Sequence, residues 1–413
     1  MLCGLVSPHV LGQNSSALEA ADEPPAELEH VFVTATLEPV SISDVASSIT
    51  VITRDEIEQR QVKYLADLLR DVPGFSVSQA GGIGAQTQIR VRGAEANHML
   101  VLVDGIRAND PASVDEFQFQ FATTANIERI EISRGPQSSI WGSDAMAGVI
   151  NIISTKNTKE TWVSGSAEGG SFSTFNAAVD GGFRRENFRL QRGISYYTTK
   201  VINIARECDE KYSSDNTTAN FGLDWDINDA WSFVASGQFV DAETQFDDVD
   251  FIDTGLPVDT DRVTKADRTY LRGEVRYKPL GSRWSGNASV NYTDSDNRNF
   301  YDGVFNSSTS ADVVDARARG SVLLGEERRH RLTGAFDYID TDFSQRGEAL
   351  PWGDPNQDQS YDQTSVAAEY VGKYESGFTW TASARYNDFS DFDDITTWQT
   401  AFSYQASVTL RLR

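Results

Sequence analysis

Apolar and polar residues follow two different rhythms along this chain, and the change falls near Lys156. Before it, short apolar runs alternate with helical patterns. Ile49–Ile52 reads as a strand, and Thr53 with Glu56 three residues on has capping-box spacing, which predicts a helix to about Gln61. A second helix over Tyr64–Arg70 places Leu65, Leu68 and Leu69 on one face and stops before Pro73-Gly74. Thr87–Val91 and Met99–Val103 (MLVLV) are strands, the second apolar throughout and so expected to be buried on both faces. Asp104-Gly105 turns the chain, and Ile127–Ile132 and Val149–Ser154 are further strands. Residues 36–156 therefore read as a compact α+β unit.

After Lys156 the period becomes two. In Phe378–Tyr386, Phe378, Trp380, Ala382, Ala384 and Tyr386 share one face; Thr379, Thr381, Ser383 and Arg385 share the other. Thr269–Tyr277 splits the same way, with Leu271, Val275 and Tyr277 against Arg272, Glu274 and Arg276, and Ala316–Leu324 and Arg331–Tyr338 follow suit. Aromatic residues stand at segment ends, among them Trp231, Phe239, Tyr277, Trp284, Tyr292, Phe378 and Tyr386. One face for lipid, one for water and aromatic girdles are the requirements of an antiparallel transmembrane β-barrel. A soluble β-sandwich with one wet face is the alternative. It accounts less well for the charge on the polar face and for the stretches Asp241–Asp267, Asp294–Asp312 and Asp340–Gln363, read as long acidic loops alternating with short turns. Residues 157–413 supply about 12 membrane strands, whereas a barrel that encloses a domain needs about 22. The expected product is an incomplete barrel, an open curved sheet partly wrapping the N-terminal unit.

Composition changes this picture in two places. A net charge of -25 and a pI near 4.5 exclude a nucleic-acid backbone as partner, since that needs clustered Lys and Arg. A mean hydropathy of -0.41 suggests a soluble protein, but alternating membrane strands average out as polar. Cys3 and Cys208 are too isolated for a disulfide framework. The first Lys or Arg is Arg54, so the basic start of a secretory signal is missing; Met1–Gln13 reads as the end of an apolar signal core. Residues 14–28, acidic and Pro-containing, read as a flexible leader. Enzymatic function finds no support: His9, His30, His98 and His330 are scattered, and no nucleophile motif occurs.

Four blocks allow a match. Leu65–Gly74 (LADLLRDVPG), Ile89–Gly93 (IRVRG), Leu100–Gly105 (LVLVDG) and Glu128–Ile153 (ERIEISRGPQSSIWGSDAMAGVINII) stand in the order found in the TonB-dependent receptors, which the chain resembles strongly over 29–156 and more loosely beyond. Within them it looks nearest to the cobalamin receptors, through Gly142–Ala145 (GSDA) and Val33-Thr34-Ala35. The resemblance implies a plug over 36–156 followed by a partial β-barrel over 157–413, in the bacterial outer membrane with its lipid as partner. It assigns Glu29, His30, Val31, Phe32, Val33, Thr34 and Ala35 to a TonB box, a β-prone septet able to add a strand to the energising partner TonB. The implied activity is active uptake of a scarce nutrient, cobalamin or, as the alternative, a ferric siderophore. A passive porin-like channel and a non-transporting remnant are the rivals of another class.

The resemblance also places ligand contacts on two plug loops, through Gly82, Ile83, Gly84 and Gln86 in one and Asn109, Asp110, Ser113 and Asp115 in the other. Each is equally readable as a solvated connection. No covalent cofactor is expected. The acidic residues Asp209, Asp215, Asp241, Asp247, Asp248 and Asp250 supply hard oxygen donors suited to calcium, as acidic outer loops do in cobalamin receptors; solvated loops are the plainer reading. Arg90, Arg92 and Arg134 are read either as charges that hold a plug in a polar lumen or as charges that solubilise a sheet edge.

Overall fold

The computed structural model describes residues 32–33, 36–38, 40–41, 45, 47–154, 160–202, 211–249, 254–351, 353–407 and 411–412. It begins with a two-residue hairpin partner set, β1 (Phe32–Val33) antiparallel to β2 (Val40–Ser41). Then follow β3 (Ser48–Thr53), α1 (Arg54–Arg60) and α2 (Leu65–Leu69). The Thr53 hydroxyl accepts the Glu56 N–H at 3.4 Å and Gln61 closes α1 in the left-handed region, which is the predicted cap and stop. A hairpin, β4 (Phe75–Gln79) with β5 (Thr87–Val91), leads to β6 (Met99–Val103), β7 (Ile106–Arg107), β8 (Ile127–Arg134), α3 (Ser138–Trp141) and β9 (Gly148–Ser154).

One mixed sheet of order β3-β8-β9-β6-β7 organises this unit, with β6 and β9 parallel and the other pairs antiparallel. All of β6 is buried, as its sequence requires. Met99, Val101 and Val103 pack with Leu65, Leu68 and Leu69 of α2 on one face, and Leu100 and Leu102 pack with Ala145 and Val149 on the other. Sequence patterning missed β4, β7 and α3, each too short or too polar to show a period.

The rest of the chain is a single antiparallel meander in which every strand pairs with the next. Its strands are β10 (Thr161–Gly169), β11 (Phe175–Arg185), β12 (Phe188–Ile202), β13 (Lys211–Asp226), β14 (Trp231–Val249) and β15 (Pro257–Tyr277). They continue as β16 (Trp284–Tyr301), β17 (Val304–Leu324), β18 (His330–Gly347), β19 (Gln357–Lys373), β20 (Phe378–Phe389) and β21 (Ile395–Gln405), with the short β22 (Arg411–Leu412) at the end. Twelve full strands match the expected number, and among the described residues β10 and β22 are the two edges. Among the described residues no helix is long and apolar enough to cross a membrane.

Two expectations about the wall need correction. The stretches Asp241–Asp267, Asp294–Asp312 and Asp340–Gln363 are not long loops: β14, β15, β16, β17, β18 and β19 run deep into them, and β16 turns into β17 through Asp302 and Gly303 alone. Strands reach 21 residues, about 70 Å of chain at the usual rise, far beyond an apolar band of about 25 Å. Ladder hydrogen bonds cost nothing outside lipid, so the sheet continues as a wall above it. Secondly, the polar face does not simply meet water. Thr379, Ser383 and Arg385 of β20 are buried, with Ser383 and Arg385 against α3 of the plug, while Tyr386 on the other face is exposed. The outer face carries aromatic residues eight positions apart, Trp231 and Phe239 on β14, Trp284 and Tyr292 on β16, Phe378 and Tyr386 on β20. That spacing is about 26 Å of strand, the separation two interfacial girdles require.

Candidate functional site

The two ends of the wall are unlike, and the plug is oriented between them. Short turns join β11 to β12, β13 to β14, β15 to β16, β17 to β18 and β19 to β20 at one end. There the segment that leads into the plug is tied down: the Leu37 N–H donates to Glu369 Oε2 at 3.1 Å, Asn287 Nδ2 to Glu38 Oε1 at 3.0 Å, and Arg331 Nη2 to the Glu38 carbonyl at 3.1 Å. Burial raises the Glu38 carboxyl above its usual range, against the pull of Arg331. Of the septet read as a TonB box, Phe32 and Val33 form β1, paired with Ser41 and Val40; Glu29, His30, Val31, Thr34 and Ala35 lie outside the described residues.

At the opposite end the loop between β4 and β5 rests on the wall. Gly84 has φ +86° and its α-carbon faces Ser214 Oγ of β13 and Thr244 Oγ1 of β14 so closely that a Cβ would collide with both. Gly82 and Ile83 lie beside it, Ile83 exposed, and the loop is closed by the Ala80 N–H to the Gln86 carbonyl at 3.0 Å. Gly84→Val therefore forces a left-handed β-branched residue into occupied space. The expected result is plug loosening, read as faster protease cleavage in Gly81–Gln86 and a cost of about 1–3 kcal/mol; unchanged cleavage would show that the loop is not seated on β13 and β14.

The second loop divides. Asn109 is buried and structural: its side chain accepts the Val101 N–H at 2.9 Å and donates to the Met99 carbonyl at 3.0 Å and the Asp115 carbonyl at 2.8 Å. Asp110, 1% exposed, caps Ala112 and receives Arg268 Nη2 at 3.4 Å and Asn297 Nδ2 at 3.1 Å from the wall. The structure thus gives these two an anchoring role in place of the expected ligand contact, because their side chains are used up within the protein. Ser113 ends a 3-10 turn that faces β17 and β18, and Val114 after it is 73% exposed. Burial, then the neighbouring Asp144, holds the Asp115 carboxyl well above the carboxylate range, with Arg107 opposing. At the apex Ile83 and Val114 are exposed, and Ser113 and Asp115 are half-buried.

Beneath the apex lies a charge cluster that sequence reasoning missed. Arg107, at the end of β7, is paired with Asp144, donates to the Trp141 carbonyl and approaches Asp315 of β17 at 3.9 Å. Arg317 is paired with Asp315, donates to the Gly105 carbonyl at 2.9 Å and lies over the Trp141 ring at 5.2 Å. Asp337 of β18 takes Arg319 and Arg385, each at 2.5 Å, and Arg385 reaches the Ile140 carbonyl at 3.3 Å. Charges on the inner face of three wall strands, β17, β18 and β20, were visible in the sequence; their partners, distant in the chain, were not. By contrast Arg90 and Arg134 bind plug atoms, Glu95 at 3.5 Å for the first and the Pro73 carbonyl at 3.0 Å for the second, and Arg92 turns the chain at φ +53°. Among the described residues, plug charges paired with the wall are Arg107 with Asp315, Asp110 with Arg268, and Lys63 with Glu168 of β10 at 2.6 Å.

The residues named for calcium do not converge. Asp247 accepts from Tyr212 at 2.6 Å and from the Thr260 N–H at 3.1 Å, and Asp248 is paired with Arg262. Asp215 accepts from Tyr196 on the outer face, and Asp241 is exposed on β14. Asp209 and Asp250 lie outside the described residues. Among the described residues no three acidic, His or Cys side chains gather as a metal site.

Residues 41–149 match the family described as the TonB-dependent Receptor Plug Domain. Among solved structures the chain is similar to Pseudomonas aeruginosa FpvA in its complex with iron and a pyoverdine (TM-score 0.72, 13% identity, 91% of this chain and 57% of that one). It is similar to the ferric enterobactin receptor PfeA of Pseudomonas aeruginosa (0.69, 17%, 88% and 61%) and to the alcaligin outer-membrane receptor FauA of Bordetella pertussis (0.72, 15%, 91% and 63%). The chain thus spans about three fifths of the length of these receptors.

Proposed function

The chain carries the plug domain and the fold of TonB-dependent receptors, an outer-membrane architecture, and on that premise we propose that it serves active uptake of a scarce nutrient, a ferric siderophore in the first instance. The observation that carries this reading is the plug itself: it fills the inner face of the wall, with Glu38 tied at the short-turn end and Ile83 and Val114 presented at the other. A passive channel needs an open lumen, and this arrangement favours gated transport instead.

The mechanism follows from that polarity. Ligand settles on the apex between the long strand ends, and a pull on the N-terminal segment at the short-turn end shifts the plug. TonB is the proposed source of the pull, pairing with Glu29–Ala35 by strand addition. Many plug–wall contacts are ion pairs and hydrogen bonds, such as Thr293 to the Arg107 carbonyl at 2.7 Å and Asn216 to the Phe121 carbonyl at 2.9 Å, beside small apolar contacts such as Phe121 with Val240, Ala242 and Ala266. Water entering the seam replaces the polar bonds at small net cost, which lowers the resistance to plug movement.

The siderophore reading is supported by the likeness to receptors of iron–pyoverdine and ferric enterobactin. Cobalamin stands second, carried by Gly142–Ala145 (GSDA) and Val33–Ala35. Titrating purified protein with cobalamin and a panel of ferric siderophores, read by tryptophan quenching, should give saturable binding of a siderophore and none of cobalamin. Saturation by cobalamin alone would reverse the order, and no binding of either would remove the uptake reading.

A further inference from the structure

The wall is electrically polarised along its strands. At the long-strand end, Asp294–Asp312 carries four carboxylates and one cation, Asp340–Gln363 six and one, and Asn387–Thr397 four and none. At the short-turn end the charges nearly balance: Lys278 and Arg283 in Tyr277–Trp284 offset Asp226 and Asp229, and Glu326 and Glu327 stand beside Arg328 and Arg329. The inner face above the apex adds a second observation. On β18 and β19 the strand alternation that turns Asp337, Gln363 and Ser365 inward also turns in Phe343, Gln345, Gln357, Gln359 and Tyr361. Gln357 donates to Gln345 at 2.8 Å, and the ring of Tyr361 packs against Phe392, itself against Phe389, at 5.8 and 6.1 Å. Among the described residues, Arg262 is the one cation turned inward above Arg268, and it is paired with Asp248 and stacked 4.9 Å from the Tyr301 ring.

We propose that this vestibule selects a ligand without net negative charge: a neutral or cationic, carbonyl- and hydroxyl-bearing complex with an apolar face, taken by amides and aromatic rings, and not a polyanion. The reasoning is physical. The carboxylates stand in the rim loops, among them Asp302, Glu348, Asp354, Asp391, Asp393 and Asp394, or on the outer face of the strands, and a rim of one sign repels ligands of its own sign as they approach the cleft. Amides supply both donors and acceptors to carbonyl and hydroxyl groups, and aromatic rings bury apolar faces at little entropic cost. For iron the distinction is chemical: a ferric tris-hydroxamate is neutral, whereas a ferric tris-catecholate keeps a large negative charge.

The ligand part of this inference rests on the uptake reading; the electrostatic part does not, and the experiment separates them. Purified full chain is titrated with a linear ferric tris-hydroxamate and a ferric tris-catecholate at low and high salt. The hydroxamate should bind at least about tenfold more tightly, the gap should narrow in about 1 M salt, where screening reaches about 3 Å, and Gln359→Lys should improve catecholate binding. In parallel, Gln359→Cys in a Cys208→Ser and Cys3→Ser background carries a nitroxide, and its collisions with anionic chromium oxalate are compared with those of a neutral nickel chelate. Exclusion of the anion is expected. Equal access of both reagents, or catecholate binding as tight as hydroxamate binding, would overturn the proposal. Exclusion of the anion with neither iron complex bound would uphold the vestibule's potential and defeat the uptake reading.

Discussion

Asp337→Ala is expected to destabilise the folded protein by about 3–5 kcal/mol, the usual cost of removing one partner from a buried charge network. Asp337 takes Arg319 on one oxygen and Arg385 on the other, and all three side chains are nearly inaccessible. Without the carboxylate two guanidinium groups remain in the seam between wall and plug. The nearest alternative acceptor, Asp315, is already engaged by Arg317. Denaturant unfolding in detergent measures the loss. Asp342→Ala, an exposed aspartate on the outer face of the same strand, serves as control and should stay within about 0.5 kcal/mol. Arg385→Met combined with Asp337→Ala should cost less than the sum of the two single changes, since each removes a charge the other leaves stranded. Equal midpoints for Asp337→Ala and Asp342→Ala would mean that the cluster contributes nothing to holding the plug.

Deleting Glu29–Ala35 is expected to reduce nutrient uptake to the background of cells without the gene while leaving ligand binding at the cell surface unchanged. The proposed septet contacts the energising partner and no ligand-binding residue, so the two readouts part. The structure adds a finer expectation. Phe32 and Val33 are paired with Ser41 and Val40 along one edge, so in this two-stranded sheet a partner strand either adds along the other edge of β1 or displaces β2. Val33→Pro removes one N–H and should weaken strand addition without altering the apex. Transport of radiolabelled ligand alongside binding at low temperature reports both quantities. Loss of binding together with uptake would indicate a folding defect, and intact uptake would remove the septet from the mechanism.

Local residue patterns carried much of the plug. Thr53 and Glu56 marked the start of α1, the leucines of α2 marked its buried face, and Met99–Val103 announced a strand buried on both sides. These features depend on neighbours within a few positions, where backbone geometry and burial leave a readable trace. Period-two alternation marked the strands of the wall, and the aromatic residues at Trp231, Phe239, Trp284, Tyr292 and Tyr386 marked its lipid band. Alternation says that two faces differ. It does not say what each face meets.

Tertiary structure decided the rest. Whether the polar face of β20 meets water or a plug depends on how a separate unit is rotated inside the sheet, and the answer, Arg385 on Asp337 and the Ile140 carbonyl, joins residues 48 and 245 positions apart. Asn109 and Asp110 looked like ligand contacts because polar side chains on a loop usually face solvent; they are instead consumed by Val101, Met99, Arg268 and Asn297. The acidic stretches looked like loops because their composition is polar, yet hydrogen bonding between neighbouring strands continues there with no apolar pattern to signal it. Composition determines which faces tolerate water, but pairing partners are set by strand register and by the seating of one unit in another, and those are properties of the assembled chain.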